Sequence, residues 1–175
     1  MNGQINRIPE VITDFNIYED GTKLIGVSGT VTLPKLEAIT ETISGAGLAG
    51  EYETTVPGHF ASLKIDVPFE VMHTDPAKLY AKKTISLTLR GDQQMRDIAA
   101  GTLTHERMRV VVTGIPMGID PGQLAKGKKS SASVTVEILR YEMYLANEEI
   151  IVLDKPNYVF RMFGEDMLAE IRNNI

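Results

Sequence analysis

The sequence predicts a mainly-β, antiparallel sandwich or barrel with one or two short helices, and three observations lead there. Leu63, Ile65, Val67, Phe69 and Val71 alternate with Ser62, Lys64, Asp66 and Glu70, the period of a strand with one buried and one wet face. Asp20-Gly21 stands between two β-type runs, 12–18 and 22–27, where it supplies the positive φ angles of a type I′ hairpin turn. Further short apolar-alternating runs follow between Gly, Pro and Asn punctuation, while helical spacing is confined to two short stretches.

Taken in order, the 12–27 hairpin leads into an extended segment, 27–43, in which Pro34 marks an edge, bend or bulge because it cannot donate to a central ladder. A glycine-rich loop spans 44–58, and the alternating strand 62–72 follows it. Thr74-Asp75-Pro76 signals a helix start, with Thr74 or Asp75 as cap and 77–82 helical. Strands are expected over 84–90, with Ile85, Leu87 and Leu89 inward, and over 107–115. A long loop, 116–131, carries the basic residues Lys126, Lys128 and Lys129. In 132–146 the apolar phase changes from Val134, Val136 and Ile138 to Leu139, Tyr141, Met143 and Leu145. A strand cannot change phase without an extra residue, so a β-bulge is expected near Ile138 and Leu139. Asn147-Glu148 is a turn, 149–153 and 158–162 are strands, and 164–173 is a closing amphipathic helix with Met167, Leu168 and Ile171 on one side. Residues 1–12 are left as an N-terminal arm.

The 175 residues suit one domain, 1–175, large enough to bury a core without staples. Cysteine is absent, which removes disulfides, thiolate zinc sites and thiol nucleophiles and suits a protein assembled in a reducing cytoplasm. No basic-then-apolar leader opens the chain, and no apolar run approaches bilayer length, so no membrane anchor is expected. The net charge of −5 is unevenly spread: residues 1–60 carry three basic against eight acidic side chains, 61–147 twelve against nine, and 148–175 three against six. An acidic first third argues against a surface that grips nucleic acid, because that affinity comes from clustered Lys and Arg.

Two nucleotide-binding patterns are decoys. Gly45, Gly47 and Gly50 match G-x-G-x-x-G, yet Glu51 and the β-branched run after it open no helix whose N–H groups would hold a pyrophosphate. Gly122 and Gly127-Lys128 nearly spell a phosphate-binding loop, but Lys129 stands where a hydroxyl should reach magnesium, and strand sequence follows. His59, His73 and His105 lack metal-ligand spacing, and no G-x-S-x-G elbow is present. Neighbouring acids such as Glu19-Asp20, Glu148-Glu149 and Glu165-Asp166 sit in turns or at a helix start, where solvation and capping account for them. No catalytic residue, metal site or cofactor is assigned.

Read together, the hairpin at 16–26, Leu33-Pro34-Lys35-Leu36, the loop at 45–50, Gly58, Leu89-Arg90-Gly91, Asp120-Pro121-Gly122 with the basic loop, the run 141–154 and the closing stretch 164–172 resemble the major tail tube proteins of contractile-tailed, P2-like phages and related phage-tail-like bacteriocins. That resemblance covers nearly the whole chain. It implies a tail-tube type domain without enzymatic activity or cofactor, which joins copies of itself into hexameric rings with a continuous inner β-barrel. Stacked rings form a hollow conduit for DNA passage or membrane puncture. The partners it implies are the tail sheath, tape measure, baseplate and tail terminator proteins, with DNA passing without specific binding. The place is the virion tail or bacteriocin particle, assembled in the host bacterial cytoplasm. Alternatives from other classes are a type VI secretion-like tube protein and a monomeric β-sandwich binding module.

Within that frame Gly45, Gly47, Leu48, Gly50, Tyr52 and Gly58 are the candidates for inter-subunit contact, on a loop expected to order against a neighbouring ring. Like-charge walls let DNA slide, so Glu37 and Glu41, then Asp66 and Glu70, are candidates to face the lumen; a solvated outer face accounts for each equally well.

Overall fold

The computed structural model describes residues 6–45 and 47–175; part of the expected 1–12 arm, and Ala46 in the glycine loop, lie outside them. The chain opens on β1 (Arg7–Glu19), turns at Asp20-Gly21 with φ of 45° and 83°, and returns as the two-residue β2 (Thr22–Lys23). The Asp-Gly turn forms as the sequence predicts, but the hairpin is short. From Arg7 on, the supposed arm is strand.

An extended segment then leads to β3 (Ala38–Ile43) and β4 (Tyr52–Phe60), which pair only with each other. After them come β5 (Lys64–Phe69), α1 (Thr74–Ala81), β6 (Ile85–Asp97), β7 (Leu103–Asp120), β8 (Ala132–Leu145), β9 (Glu148–Asp154), β10 (Val159–Met162), β11 (Glu165–Asp166) and α2 (Ala169–Asn174). The main sheet runs β11-β10-β9-β8-β7-β6-β1-β2, all antiparallel, with β5 also on β8.

The sheet closes on itself through the segment after β2. On one side Leu24 N–H donates to Ile17 O at 2.8 Å. On the other, Val27 bridges Phe69, Ser28 N–H reaches Pro68 O at 2.9 Å and Glu70 N–H reaches Gly26 O at 2.8 Å. The ring β1-β6-β7-β8-β5-(24–28)-β2 encloses a core of Ile17, Leu63, Ile65, Val67, Phe69, Leu87, Val112, Val134 and Tyr141, which Leu79 of α1 plugs. Burying a side chain such as Leu79 stabilises by about 2 kcal/mol.

β8 divides its outer edge between two partners. Ala132 to Glu137 pair with β5, and Arg140 to Leu145 pair with β9. Between them lies the bulge expected from the phase change: Thr113 faces Arg140 and Gly114 faces Ile138, leaving Leu139 as the extra residue. Its carbonyl accepts Lys155 N–H at 3.0 Å, so the bulge costs no backbone acceptor. Gly114 is required opposite it, since a Cβ there would lie 2.1 Å from Glu137 O.

Several boundaries differ from the expectation, each for a physical reason. The 62–72 strand ends at Phe69, and Val71 is 52% exposed, because the chain leaves the ladder to enter α1. The N-cap of α1 is His73 rather than Thr74 or Asp75, with its ring edge-on to Phe69 at 5.6 Å. β6 and β7 run well past 84–90 and 107–115. Their extensions carry polar residues on both faces, so alternation fades although the ladder continues. The 116–131 loop shrinks because β7 continues to Asp120, with Pro116 beside a register shift where its missing N–H is tolerated. Ala146-Asn147, with φ of 48° and 69°, replaces Asn147-Glu148 as the turn. The closing helix begins only at Ala169. Before it, Phe163-Gly164 turn the chain into β11, and Asp166 accepts Leu168 N–H at 3.0 Å and pairs with Arg172. The Arg172 bond, more than the Leu168 N–H, holds the Asp166 carboxyl below the usual range. Leu168 is buried, but Met167 is 53% exposed and does not share its face.

Two measurements check this packing. Gly114→Ala is expected to cost about 2–3 kcal/mol and lower the melting temperature by roughly 5–10 °C, whereas Gly118→Ala on the same strand, with open space around it, costs under about 1 kcal/mol. Burial pushes the Tyr141 phenol up to about 12. Its folded value lies above the unfolded one, so this contribution is whole below about pH 10 and is lost as pH rises towards 12, about 2–3 kcal/mol in all. Circular dichroism against pH is expected to show Tyr141→Phe surviving to higher pH than the parent protein.

Candidate assembly surfaces

The predicted contact loop is a β-hairpin arm rather than a loop. Ile43 faces Tyr52, Glu41 faces Thr54 and Thr40 faces Thr55, and β3 from Ala38 to Thr42 is exposed throughout. Gly45, Gly47, Leu48 and Gly50 form the tip, with Leu48 N–H donating to Gly45 O at 3.3 Å and Gly47 at φ 96°. β4 follows where a nucleotide fingerprint would need a helix. Leu48 and Tyr52 are 46% and 55% exposed. The arm extends roughly 20 Å as a two-stranded ribbon, a form of only marginal stability in water by itself.

Its root is fixed within the subunit. Ala61 N–H closes it on Glu37 O at 3.1 Å, the Tyr158 hydroxyl donates to Pro57 O at 3.2 Å, and Phe60 packs edge-on to Phe160 at 4.9 Å. Gly58 belongs to this root, not to the tip. At φ 78° a Cβ would sit 2.9 Å from both Tyr158 and Leu168, so its close approach is intramolecular.

The four acidic candidates sit on the arm and on or just after β5, and none lies on the long strands β1, β6, β7 or β8. Glu37 pairs with Lys35 at the arm's root, and Glu41 stands exposed on the arm. Asp66 accepts the Thr135 hydroxyl at 2.5 Å on β5, and Glu70 pairs with Lys129 from the 121–131 loop.

Two further features stand out. First, β1, β6 and β7 continue beyond the core as a blade: no residue of 7–14, 91–97 or 103–109 is buried, and Ile8, Val11, Ile12 and Leu103 are about half exposed. Among the described residues the outer edge of β1 is paired only near its end, where β2 covers Tyr18 and Glu19 and Leu24 N–H reaches Ile17 O. Its register shifts at Glu10 and Thr13 interrupt that edge. Second, the alternation that turns Leu87, Leu89 and Val110 inward turns Arg90, Arg107 and Arg109 outward. Arg90 lies over the Tyr18 ring at 4.7 Å and Arg109 over Tyr144 at 4.2 Å. The Tyr144 phenol donates to Glu142 at 2.8 Å; that bond first, and burial second, push its pKa up. On the same face Glu10 binds Arg96 and Gln94, which hold its carboxyl low in that order. The sequence reading singled out Leu89-Arg90-Gly91 only as a landmark and passed over Arg107 and Arg109, although alternation with Val110 already placed them outside.

The histidines stay apart: His59 on β4 beside Tyr158, His73 before α1, and His105 on β7 with Nδ1 2.6 Å from Asp92 Oδ2.

Comparison with known proteins agrees with this architecture. The family model described as Phage tail tube protein FII matches residues 9–175. The chain is 25% identical over 163 residues to the major tail tube protein of Serratia phage KSP20, covering 93% of each, and 26% identical over 176 residues to the tail tube protein of Escherichia phage P2, covering 96% of this chain and 98% of that one. Its fold is similar to a chain of the sheath/tube terminator of the extracellular contractile injection system PVC in the extended state, with TM-score 0.57, 13% identity, and 78% of this chain and 97% of that one covered. It is also similar to a chain of the PVC sheath-tube complex in the extended state, with TM-score 0.53, 16% identity, and 78% and 91% covered. The family match spans nearly the whole chain, and the chain belongs to the phage tail tube protein FII family.

Proposed function

We propose that this tail tube subunit builds its wall through two surfaces: the blade joins copies side by side into a closed ring, and the hairpin arm reaches the next ring. The blade carries the reading. Strands that continue past the core with neither face buried leave apolar side chains and an unpaired β1 edge exposed, a state that suits a subunit completed by its neighbours. Edge-to-edge contacts between different surfaces of identical copies close into rings when the rotation allows, and rings stack into tubes. A hexamer with a continuous inner barrel is the form the family resemblance implies.

Gly45, Gly47, Leu48, Gly50 and Tyr52 make the arm's outward contact, while Gly58 sets its angle at the root. The arm's distal half gains order on joining, which opposes spontaneous growth and leaves initiation to a nucleating baseplate. Sheath outside, terminator at the end, and tape measure and then DNA within are the partners assigned to this geometry, in a virion tail or bacteriocin particle. The tube's work is mechanical, with no chemical step assigned to any residue. Glu37, Glu41, Asp66 and Glu70 are solvated outer-face residues with local partners in this reading, except Glu41, which travels with the arm.

Electron microscopy of the purified protein at rising concentration is expected to show rings or tubes, and a dispersed monomer under every nucleating condition would overturn the reading. Leu48→Asp with Tyr52→Asp is expected to leave the melting temperature within about 2 °C while raising the concentration needed for tube growth at least tenfold, about 1.4 kcal/mol. Hydrogen exchange over 44–58 is expected to slow markedly in tubes relative to free subunits; equal protection in both would remove the arm from the ring contact.

A further inference from the structure

Arg90, Arg107 and Arg109 form an unpartnered guanidinium cluster on the centre of the sheet. Among the described residues, Arg7, Arg96, Arg140, Arg161 and Arg172 find carboxylates within bonding distance, and these three find none. Arg90 and Arg109 are directly opposite across β6 and β7, a like-charge pairing that destabilises the sheet when nothing neutralises it. Arg107 lies two residues along β7, about 7 Å away, and faces Asp92, whose carboxylate is engaged by His105. With Tyr144 and Asn147 the arginines line a concavity of about 550 Å³.

The tyrosines set the geometry. A guanidinium resting on an aromatic face keeps its plane and leaves its N–H edge free, the arrangement that binds phosphate oxygens in pairs. Position narrows the occupant. β6 and β7 are flanked by β1 and β8, so a copy added at a sheet edge meets those outer strands first, and a stacked ring meets strand ends. This step rests on the tube reading and adds to it that the sheet face opposite the core is turned to the bore. We infer that the Arg90, Arg107 and Arg109 cluster is a phosphate-binding site occupied by the sugar-phosphate backbone of nucleic acid. Contact is to the backbone alone, so it is blind to sequence, weak per subunit and strongly salt-dependent.

The test titrates the full-length free subunit with a short labelled DNA duplex by fluorescence anisotropy at low salt. Salt-dependent binding is expected, and Arg90→Gln with Arg109→Gln is expected to weaken it at least about tenfold and reduce the salt slope by about one for each arginine removed. Arg90→Lys with Arg109→Lys keeps the charge and loses the paired N–H edge, so an intermediate loss is expected; it decides the matter if the glutamine variant fails to fold. Lys126→Gln with Lys128→Gln, on the other basic surface, is expected to leave binding within about twofold. Absence of binding, loss through the loop lysines instead, or equal affinity for polyglutamate would overturn the inference. Microscopy of the same unmodified protein keeps the two readings distinct: failure to form tubes sinks the bore, while the anisotropy reports the arginines on the free subunit.

Discussion

One extra residue in β8 sets the shape of this subunit. Because Leu139 is left out of the ladder with β7, the side chains before it point into the barrel at even positions and those after it at odd ones. The same kink lets one strand hold β5 along its first half and β9 along its second. Without the bulge, Tyr141 and Met143 would turn to the wet face and Arg140, Glu142 and Tyr144 into the core, burying an ion pair whose desolvation its mutual attraction does not repay. Gly114 answers it on β7, the one residue type that lets Glu137 O come so close.

From that kink follows a division of labour. On one side, β5, the first half of β8 and α1 bury Ile65, Phe69, Leu79 and Val134 and supply the stability of the free chain. On the other, β1, β6 and β7 run on as a blade whose strands stay paired, with shifts at Glu10 and Thr13, but whose faces are bare. Backbone hydrogen bonding keeps such an extension straight even where side chains contribute little. A preformed blade has less entropy to lose on meeting a neighbour than a disordered one, whereas the hairpin arm, held only at its root, keeps most of that cost for the moment of stacking. In the proposed tube, rings and stacks therefore draw on differently ordered surfaces.

Legibility in the sequence followed burial. Alternating 62–72, the inward triad Ile85, Leu87 and Leu89, the Asp20-Gly21 turn and the Leu139 bulge were readable because a one-sided core imposes a strict period and any break in that period must be structural. The blade was not readable: Gln93, Gln94 and Met95 obey no apolar rule when both faces are wet. The 44–58 stretch read as a loop because glycines and exposed threonines look alike in loops and unsupported hairpins. Among the site residues, the outward tip at Leu48 and Tyr52 was foreseeable from glycine spacing, but Gly58 was not, since its partners Tyr158 and Leu168 lie a hundred residues away in sequence. Acidic bias in the first third singled out Glu37, Glu41, Asp66 and Glu70, which the fold spreads over the arm, β5 and the residue after it, because charge counted along the chain ignores which element carries it.

That last point bears on how a conduit can both exclude and hold a polyanion. A uniformly acidic bore would leave DNA free but also unlocated, with no reason to stay centred or to wait. On the outer face of β6 and β7, charges instead follow in mixed order along the ladder: Arg90 with Arg109 first, Asp92 and Arg107 next, then His105 bound to Asp92, and Arg96 with Glu10 last. In the proposed tube each arginine cluster would replace counterions at a few phosphates only, a slight hold that symmetry would repeat around every ring and stacking along the tube. In that arrangement, movement past such sites would exchange one phosphate contact for an equivalent one at the next ring, leaving a shallow, periodic resistance. The carboxylates of Asp92 and Glu10 on the same face would limit how deep each step becomes, so the proposed contact holds weakly and lets go easily.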